Sequence, residues 1–425
     1  MKAVYSLQFT VYGFVIASPA FSGINSAKQS PKIFLTTCCL ILAAFSFSQQ
    51  TEQTFYDKDK KIKKEIFHTK KVSGATIKDG LYQIYYENGK TWQEGNFKED
   101  KLAGEWKTYY NNGQLKQTVN YENGLRQGNS KIYYDDGIIY QELIYKDDKM
   151  DGKNIFHHTS GKTMEVSEYK NDTLNGESRS FNENGSRAFN RIYLNGKRNG
   201  ACESFYDNGM QKEKYICIND LYEGEFISYY KDSLNGKQKQ CIYKNGKLNG
   251  PFTGYYPIGS LQMKGNYVND SLQGEYTQFF PSKTSGVPQG PVLEKGNYLS
   301  NARTGTWTSW YPDGSTYTKG NFLNGIFDGE WKVYHPNGKP KQAGVYTNGL
   351  EEGDWKYFHP NGNSYMQGKY KQGKQEGNWK VFYEDGKPLA DYSYQNGKLN
   401  GKQTAYDKEG KVVEEKVYEN GVLKQ

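Results

Sequence analysis

A glycine that recurs every 24 residues constrains this chain more than any other sequence feature. Segments 104–113 and 329–338 are two copies of one motif, in which the glycine precedes an aromatic run and an Asn-Gly pair. The only intervals that differ from 24 residues are one of 26 before Gly250 and one of 31 before Gly305. The leading glycines are Gly80, Gly104, Gly128, Gly152, Gly176, Gly200, Gly224, Gly250, Gly274, Gly305, Gly329, Gly353, Gly377 and Gly401. Such a period indicates tandem supersecondary units.

Each repeat carries two aromatic positions and two turn signals when the leading glycine is counted as position 0. Position 17 is a ring in most copies, and Asn-Gly or Asp-Gly pairs recur near positions 8–9 and after position 17. Rings separated by Asn-Gly predict β-hairpins with type I′ turns, here with strands of four to seven residues. Position 5 is Tyr85, Tyr109, Tyr133, His157, Phe181, Phe205, Tyr229, Tyr255, Phe279, Trp310, Tyr334, Phe358, Phe382 or Tyr406.

Composition supports a thin sheet with many turns. The 425 residues include 38 tyrosines and 47 glycines but only 12 prolines, and aliphatic core residues are scarce. No segment has sustained helical spacing, and one hairpin is stable only when it is paired with its neighbours. We therefore predict an all-β fold, an extended single-layer antiparallel sheet of about fourteen tandem 24-residue β-hairpin repeats.

The chain divides into five predicted regions. Residues 1–48 read as a leader whose best apolar run, 33–47, ends in small residues and predicts signal cleavage after Ser48. An uncleaved anchor is the alternative, and residues 1–31 fit either a two-part leader or a start site further downstream. Residues 49–79 are predicted to be a polar, lysine-rich linker, 80–280 an irregular repeat block, 281–296 a protruding Pro/Gly-containing loop insertion, and 297–425 a regular Trp-rich repeat block. The leader predicts export: periplasmic, outer-membrane-associated or secreted.

Position 6 is the candidate binding surface. Neighbouring strand positions point to opposite faces, so positions 5 and 6 do not share a core. Because position 6 also accepts Asn182 and Asp407, it is predicted to be accessible, whereas position 5 is predicted to form a structural ladder. The candidate residues are Tyr110, Tyr134, Tyr230, Tyr256, Tyr311, His335, His359 and Tyr383.

The sequence predicts no catalytic, cofactor or metal site. The formal charge of +8 is spread through a mixture of both signs, so no nucleic-acid partner is expected. His335 and His359 lie 24 residues apart, which places them two strands apart and too distant to share a zinc ion. Cys202 and Cys217 lie on facing strands of one hairpin, where they would either pair or, with Cys241, replace rings as half-buried thiols.

The repeat resembles the membrane occupation and recognition nexus (MORN) repeat proteins, most closely their bacterial variant. The form Gly-x-Trp-x-x-Tyr-Tyr-x-x-Gly is clearest at 329–349, 353–373 and 377–397, and the resemblance covers 80–425. It implies an extended hairpin sheet that serves as a scaffold for protein or lipid contact, and some members of the variant are labelled as antitoxins. This chain departs from a small cytosolic antitoxin in its leader and its many repeats. The copies from Gly128 to Gly200 lack the tryptophan at position 2.

Three functions agree with these observations. The first is a non-enzymatic exported scaffold that binds a protein partner or a cell-envelope component, with membrane contact possible, through aromatic-lined faces. The second is a carbohydrate or envelope-polymer binding module, because exposed tyrosine and tryptophan suit sugar rings, and a glycan is then the partner. The third is an antitoxin-like inhibitor of a partner toxin.

Overall fold

A computed structural model describes residues 49–232, 234–284 and 286–424, all within one antiparallel sheet of 34 strands and its turns. The leader and its cleavage site lie outside or at the border of these residues. Within the described ranges there is no helix suited to spanning a membrane. The strands are β1 (Gln50–Phe55), β2 (Lys63–Val72), β3 (Ala75–Tyr85), β4 (Thr91–Lys98), β5 (Lys101–Tyr109), β6 (Leu115–Glu122), β7 (Leu125–Tyr133), β8 (Ile139–Lys146), β9 (Lys149–Met150), β10 (Gly152–His157), β11 (Thr163–Lys170), β12 (Thr173–Phe181), β13 (Arg187–Leu194), β14 (Lys197–Phe205), β15 (Gln211–Ile218), β16 (Leu221–Tyr229), β17 (Lys237–Lys244), β18 (Lys247–Tyr255), β19 (Leu261–Val268), β20 (Ser271–Leu272), β21 (Gly274–Phe279), β22 (Val292–Leu299), β23 (Ala302–Trp310), β24 (Thr316–Leu323), β25 (Ile326–Tyr334), β26 (Pro340–Thr347), β27 (Leu350–Phe358), β28 (Ser364–Lys371), β29 (Lys374–Phe382), β30 (Pro388–Gln395), β31 (Lys398–Leu399), β32 (Gly401–Tyr406), β33 (Val412–Glu419) and β34 (Val422–Leu423).

The sheet is a meander in which each strand pairs with the next one along the chain. For example, β5 pairs with β6 and β6 with β7, always antiparallel. In three repeats the first strand is interrupted just before the leading glycine. Two short strands then take the place of one: β9 and β10, β20 and β21, and β31 and β32. The predicted fold class, a single sheet of tandem hairpins, is confirmed.

The two turns of each repeat differ. Asn123 and Gly124, at positions 19–20, both have positive φ (53° and 88°), which is the type I′ geometry that was predicted. In the other turn only the glycine has a positive φ. Gly113 has φ 91°, and its N–H donates to the carbonyl of Tyr110 at 2.8 Å. That arrangement is a type I turn followed by a left-handed glycine, so the type I′ prediction is wrong for positions 8–9.

In most repeats the leading glycine lies inside a strand rather than at its entry. Gly104 is the fourth residue of β5, with φ 68°, and the pairing register with β4 shifts there. A bulge with positive φ suits glycine, because an L side chain is disfavoured in that conformation. The strands are consequently eight or nine residues long in most repeats, longer than the predicted four to seven.

Residues 49–79 are not a linker. They form β1, β2 and the start of β3, and β1 pairs with β2 as a fifteenth hairpin. The Tyr56 hydroxyl donates to the Tyr85 carbonyl at 2.8 Å, which ties this hairpin to the next one. The 24-residue glycine pattern does not extend to this hairpin, because Gln50, paired with Thr69, stands where a leading glycine would be.

The proline-rich insertion folds back onto the preceding repeat rather than protruding. The Phe280 N–H donates to the Pro291 carbonyl at 2.8 Å, so the loop closes at 291 and β22 begins at Val292, inside the predicted loop. The Leu261 N–H donates to the Pro288 carbonyl at 2.9 Å. Main-chain hydrogen bonds of this kind satisfy polar groups that a proline-containing segment leaves outside the ladder.

Candidate binding surface

One face of the sheet, here called the tryptophan face, is filled by its own side chains. It carries positions 2, 15 and 17, and its indole rings lie over glycines of the preceding repeat. A Cβ on Gly368 would overlap the ring of Trp379, and Trp355 and Trp379 are completely buried. The pairs are Gly95 with Trp106, Gly296 with Trp307, Gly320 with Trp331, Gly344 with Trp355, and Gly368 with Trp379.

At two repeats in which position 2 is not tryptophan, a large aliphatic residue replaces the glycine at position 15. Ser130 lies opposite Val119 on the neighbouring strand, and Asn154 stands at the same repeat position relative to Leu143. All four residues are buried. At these two sites the larger residue at position 15 offsets the smaller one at position 2, as dense packing requires. Ser167 with Ser178 and Tyr215 with Phe226 do not follow this pattern. The two partners lie 11 residues apart in the sequence, and their relation was not predicted.

Positions 2 and 17 together form the ring ladder. The centroid of Trp355 lies 5.1 Å from that of Tyr346 and 5.8 Å from that of Tyr370, both edge-on. Tyr370 in turn lies 5.0 Å from Trp379. Position 5 was expected to supply this ladder, but among the described residues its rings make no ring–ring contact, because they lie on the opposite face. The prediction that position 5 forms the ladder is wrong.

The three described cysteines are free thiols in one buried cluster on the tryptophan face. Cys202, Cys217 and Cys241 pack with Tyr215 and Phe226. Burial, with the neighbouring Cys202 as a second cause, raises the pKa of the Cys217 thiol to about 11. Cys202 and Cys217 replace rings as core residues, in agreement with one of the two predicted alternatives. Cys241 instead lies opposite Phe226, at the register position that Gly344 and Gly368 hold in other repeats.

The eight candidate residues at position 6 share one structural contact. All are half-buried, and each donates from its hydroxyl or Nε2 to the carbonyl of position 5 in the next repeat. Tyr383 donates to Tyr406 at 3.0 Å, and His335 replaces a tyrosine by donating to Phe358 at 3.0 Å. The other six bonds are from Tyr110, Tyr134, Tyr230, Tyr256, Tyr311 and His359. Their polar ends thus serve the sheet, and a binding role for them stays a prediction.

At both turn edges of the sheet, side chains form hydrogen bonds with the main chain of the next repeat. At one edge the Asn361 side chain donates to the Glu384 carbonyl at 2.7 Å. At the other, the Glu376 carboxylate accepts the N–H of Asn396 at 2.9 Å. These bonds engage polar side chains that the composition alone assigns to a solvated surface.

The opposite face, here called the open face, carries positions 3, 5 and 14. The Tyr109 hydroxyl donates to Glu94 at 2.6 Å, and this bond holds the pKa of that carboxyl below its usual range. Burial, and then the bond to Glu94, raises the pKa of Tyr109 to about 12. Half-buried rings thus line this face beside rows of charged side chains.

Positions 3 and 14 of successive strands pair across the sheet and form a lysine row on the open face. Fourteen strands contribute, with seven exposed lysines and no carboxylate. The row runs Lys214, Ile227, Gln240, Thr253, Lys264, Thr277, Lys295, Thr308, Lys319, Lys332, Ala343, Lys356, Gln367, Lys380. Glu203 precedes it and Asp391 follows it. The row was not predicted, because its lysines are far apart along the chain and come together only through the strand register.

Removing the Tyr383 hydroxyl is expected to cost stability although the ring is only half-buried. Tyr383→Phe deletes the bond to the Tyr406 carbonyl, and a lost hydrogen bond costs about 1 kcal/mol. The matched control is Tyr334→Phe at position 5, whose hydroxyl has no bond within the described residues, and its cost should stay within about 0.5 kcal/mol. Urea unfolding measures both; equal costs would contradict the structural role of position 6.

The fold and its contacts define a tandem β-hairpin repeat protein. Eight of its segments match the family model described as the MORN repeat variant, in agreement with the resemblance noted above: 78–99, 102–123, 126–147, 303–324, 327–348, 351–372, 375–396 and 399–420. The antitoxin-like subtype stays a prediction. No curated protein matches the chain.

Several solved structures match at low similarity. The crystal structure of TcdB2-TccC3 is 9% identical, and the match covers 89% of this chain and 28% of that one, with a TM-score of 0.13. A porin-like protein from Bacteroides uniformis is 10% identical, covering 69% of this chain and 93% of that one, with a TM-score of 0.12. TM-scores this low carry no inference about fold or function.

Proposed function

We propose that this protein is a non-enzymatic, exported scaffold that binds a protein or cell-envelope partner through the open face of its sheet. The observation that supports this most is the distribution of contacts. The tryptophan face is closed by ring-on-glycine packing, and both turn edges are occupied by bonds between repeats. The open face carries the long lysine row beside the half-buried rings of position 5.

A rigid repeat array suits such a role. Each hairpin contacts its neighbours in the chain, so the rows keep their spacing over many repeats. Large flat interfaces of this kind bind through many modest contacts rather than through one deep pocket. The depressions on the open face are shallow and open, for example the one beside Lys356, Gln367 and Lys380. This geometry supports surface recognition over catalysis.

Site-specific photo-crosslinking in intact cells tests the proposal. A photoreactive amino acid at Gln367 on the open face should give a position-specific adduct in the envelope or secreted fraction. The matched control is the same amino acid at Lys374, an exposed residue at the neighbouring turn edge. Identical adducts from both positions, no adduct from open-face positions, or adducts confined to the cytoplasm would each contradict the proposal.

A further inference from the structure

The lysine row is electrostatically unbalanced in a way that stability does not explain. Lys319 pairs directly with Lys332 across two strands, and like charges in that relation are destabilising. Lys295 and Lys332 have carboxylate partners, Glu275 at 3.1 Å and Glu330 at 3.2 Å. The other five lysines form no ion pair within the described residues. Two of the five stand opposite a carboxylate in the strand register, Lys214 opposite Glu203 and Lys380 opposite Asp391, whereas Lys264, Lys319 and Lys356 do not. Uncompensated charge held in register indicates a ligand that supplies the missing negative charge.

In the preceding strands, positions 3 and 14 carry equal numbers of basic and acidic residues. The protein therefore contains its own comparison for the lysine row. From Gln83 to Glu203 these positions carry three basic and three acidic residues, and Lys131 pairs with Glu142 at 3.1 Å. The pairing of these strands is as regular as that of the later strands. The excess of lysine at these positions is therefore specific to strands β15 to β29 and is not a requirement of the hairpin fold.

We infer that the lysine row binds an extended anionic polysaccharide laid across the strands; this rests on the proposed function and names its partner class. Fourteen strands at 4.7–4.9 Å give a row roughly 60 Å long, which fits a linear polymer better than a small molecule. Position 5 places a ring beside the row on every second strand, as in Tyr334, Phe358 and Phe382. Ring faces and edges suit the C–H surfaces of sugars, and lysines suit their acidic groups.

The charge spacing separates this partner from nucleic acid. Seven lysines along the row give one positive charge per roughly 9 Å, whereas a nucleic-acid strand carries one phosphate per about 3.4 Å. From Lys319 to Lys380 the lysines recur mostly on every second strand, a spacing comparable to two linked sugars. All seven are lysine rather than arginine, which suits dispersed point charges more than bidentate phosphate recognition. A polymer with one acidic group per disaccharide matches best.

The test compares two variants of the full-length protein with the same change in charge. The row variant is Lys319→Gln, Lys332→Gln, Lys356→Gln and Lys380→Gln. The control variant is Lys341→Gln, Lys371→Gln, Lys374→Gln and Lys398→Gln, all exposed lysines off the row. Binding is measured to hyaluronan, which has one carboxylate per disaccharide, and to carboxyl-reduced hyaluronan. Vesicles of phosphatidylglycerol with phosphatidylcholine and single-stranded oligothymidine are the competing ligands.

We expect the row variant to bind hyaluronan about tenfold to hundredfold more weakly than the wild type, since four exposed ion pairs of modest strength are lost together. The control variant should stay within about twofold, and the reduced polymer should not bind. The melting temperature of the row variant should equal or exceed the wild-type value, because like-charge repulsion is relieved. Equal weakening in both variants, or row-dependent binding of vesicles or oligothymidine without hyaluronan, overturns the inference. Retained Gln367 crosslinks in that case would leave the scaffold function standing.

Discussion

Gly368→Val is expected to destabilise the C-terminal repeats by about 3 kcal/mol, a large effect for one small residue on a sheet. The valine side chain would occupy the space of the Trp379 indole, which is completely buried and donates from Nε1 to the Lys369 carbonyl at 3.1 Å. Overpacking a dense site costs about 1–3 kcal/mol, and the upper end applies because the ring has rings on either side. Urea unfolding of the full-length protein measures the change in the free energy of unfolding.

A second substitution makes the cause of that loss testable. Trp379→Ser alone should cost about 3–5 kcal/mol by leaving a cavity. The double variant Gly368→Val with Trp379→Ser recreates the natural pair of Val119 with Ser130, so its cost should fall below the sum of the single costs by about 1–3 kcal/mol. Additive costs would show that the glycine is needed for its backbone rather than for the ring above it.

The regular architecture was predictable because it depends on local signals. Rings at fixed spacing and Asn-Gly pairs define hairpins wherever they occur, and type I′ turns such as Asn123–Gly124 were assigned from chemistry alone. The hairpin β1–β2 was not predicted, because Gln50 occupies the position at which the other repeats carry the leading glycine. Its place in the sheet is fixed by pairing with β3, which is a tertiary contact rather than a local signal.

The binding surface was less predictable because side-chain direction depends on register. Position 6 varies from tyrosine to Asp407, and that variation suggested a solvent-facing site. The structure instead joins the Tyr383 hydroxyl to a carbonyl of the next repeat, a contact 23 residues away in sequence. The lysine row likewise appears only when positions 3 and 14 are aligned across strands, because Lys319 and Lys332 are neighbours in space but belong to different repeats.

Deleting one whole repeat is expected to be far milder than deleting half of one. Removing residues 353–376 takes out 24 residues and joins Glu352 to Gly377, so strand direction and register are kept. Trp379 then lies over Gly344, which already accommodates Trp355. We expect a sheet spectrum by circular dichroism and a melting temperature within about 4 °C of the wild type. Deleting 377–400 is the matched control: it brings Gln403 over Gly368, leaves the ring space empty and should melt lower.

Deleting only residues 353–364 should disrupt every repeat that follows. The twelve residues include most of β27, so β28 would have to pair with β26 although both strands run in the same direction. Parallel pairing needs a crossover of a dozen or more residues, which the remaining turn does not provide. We expect loss of the cooperative transition of the C-terminal block, together with protease cleavage after Leu350 while the repeats before it stay protected. A half-repeat deletion as stable as the whole-repeat deletion would show that the 24-residue hairpin is not the unit of this fold.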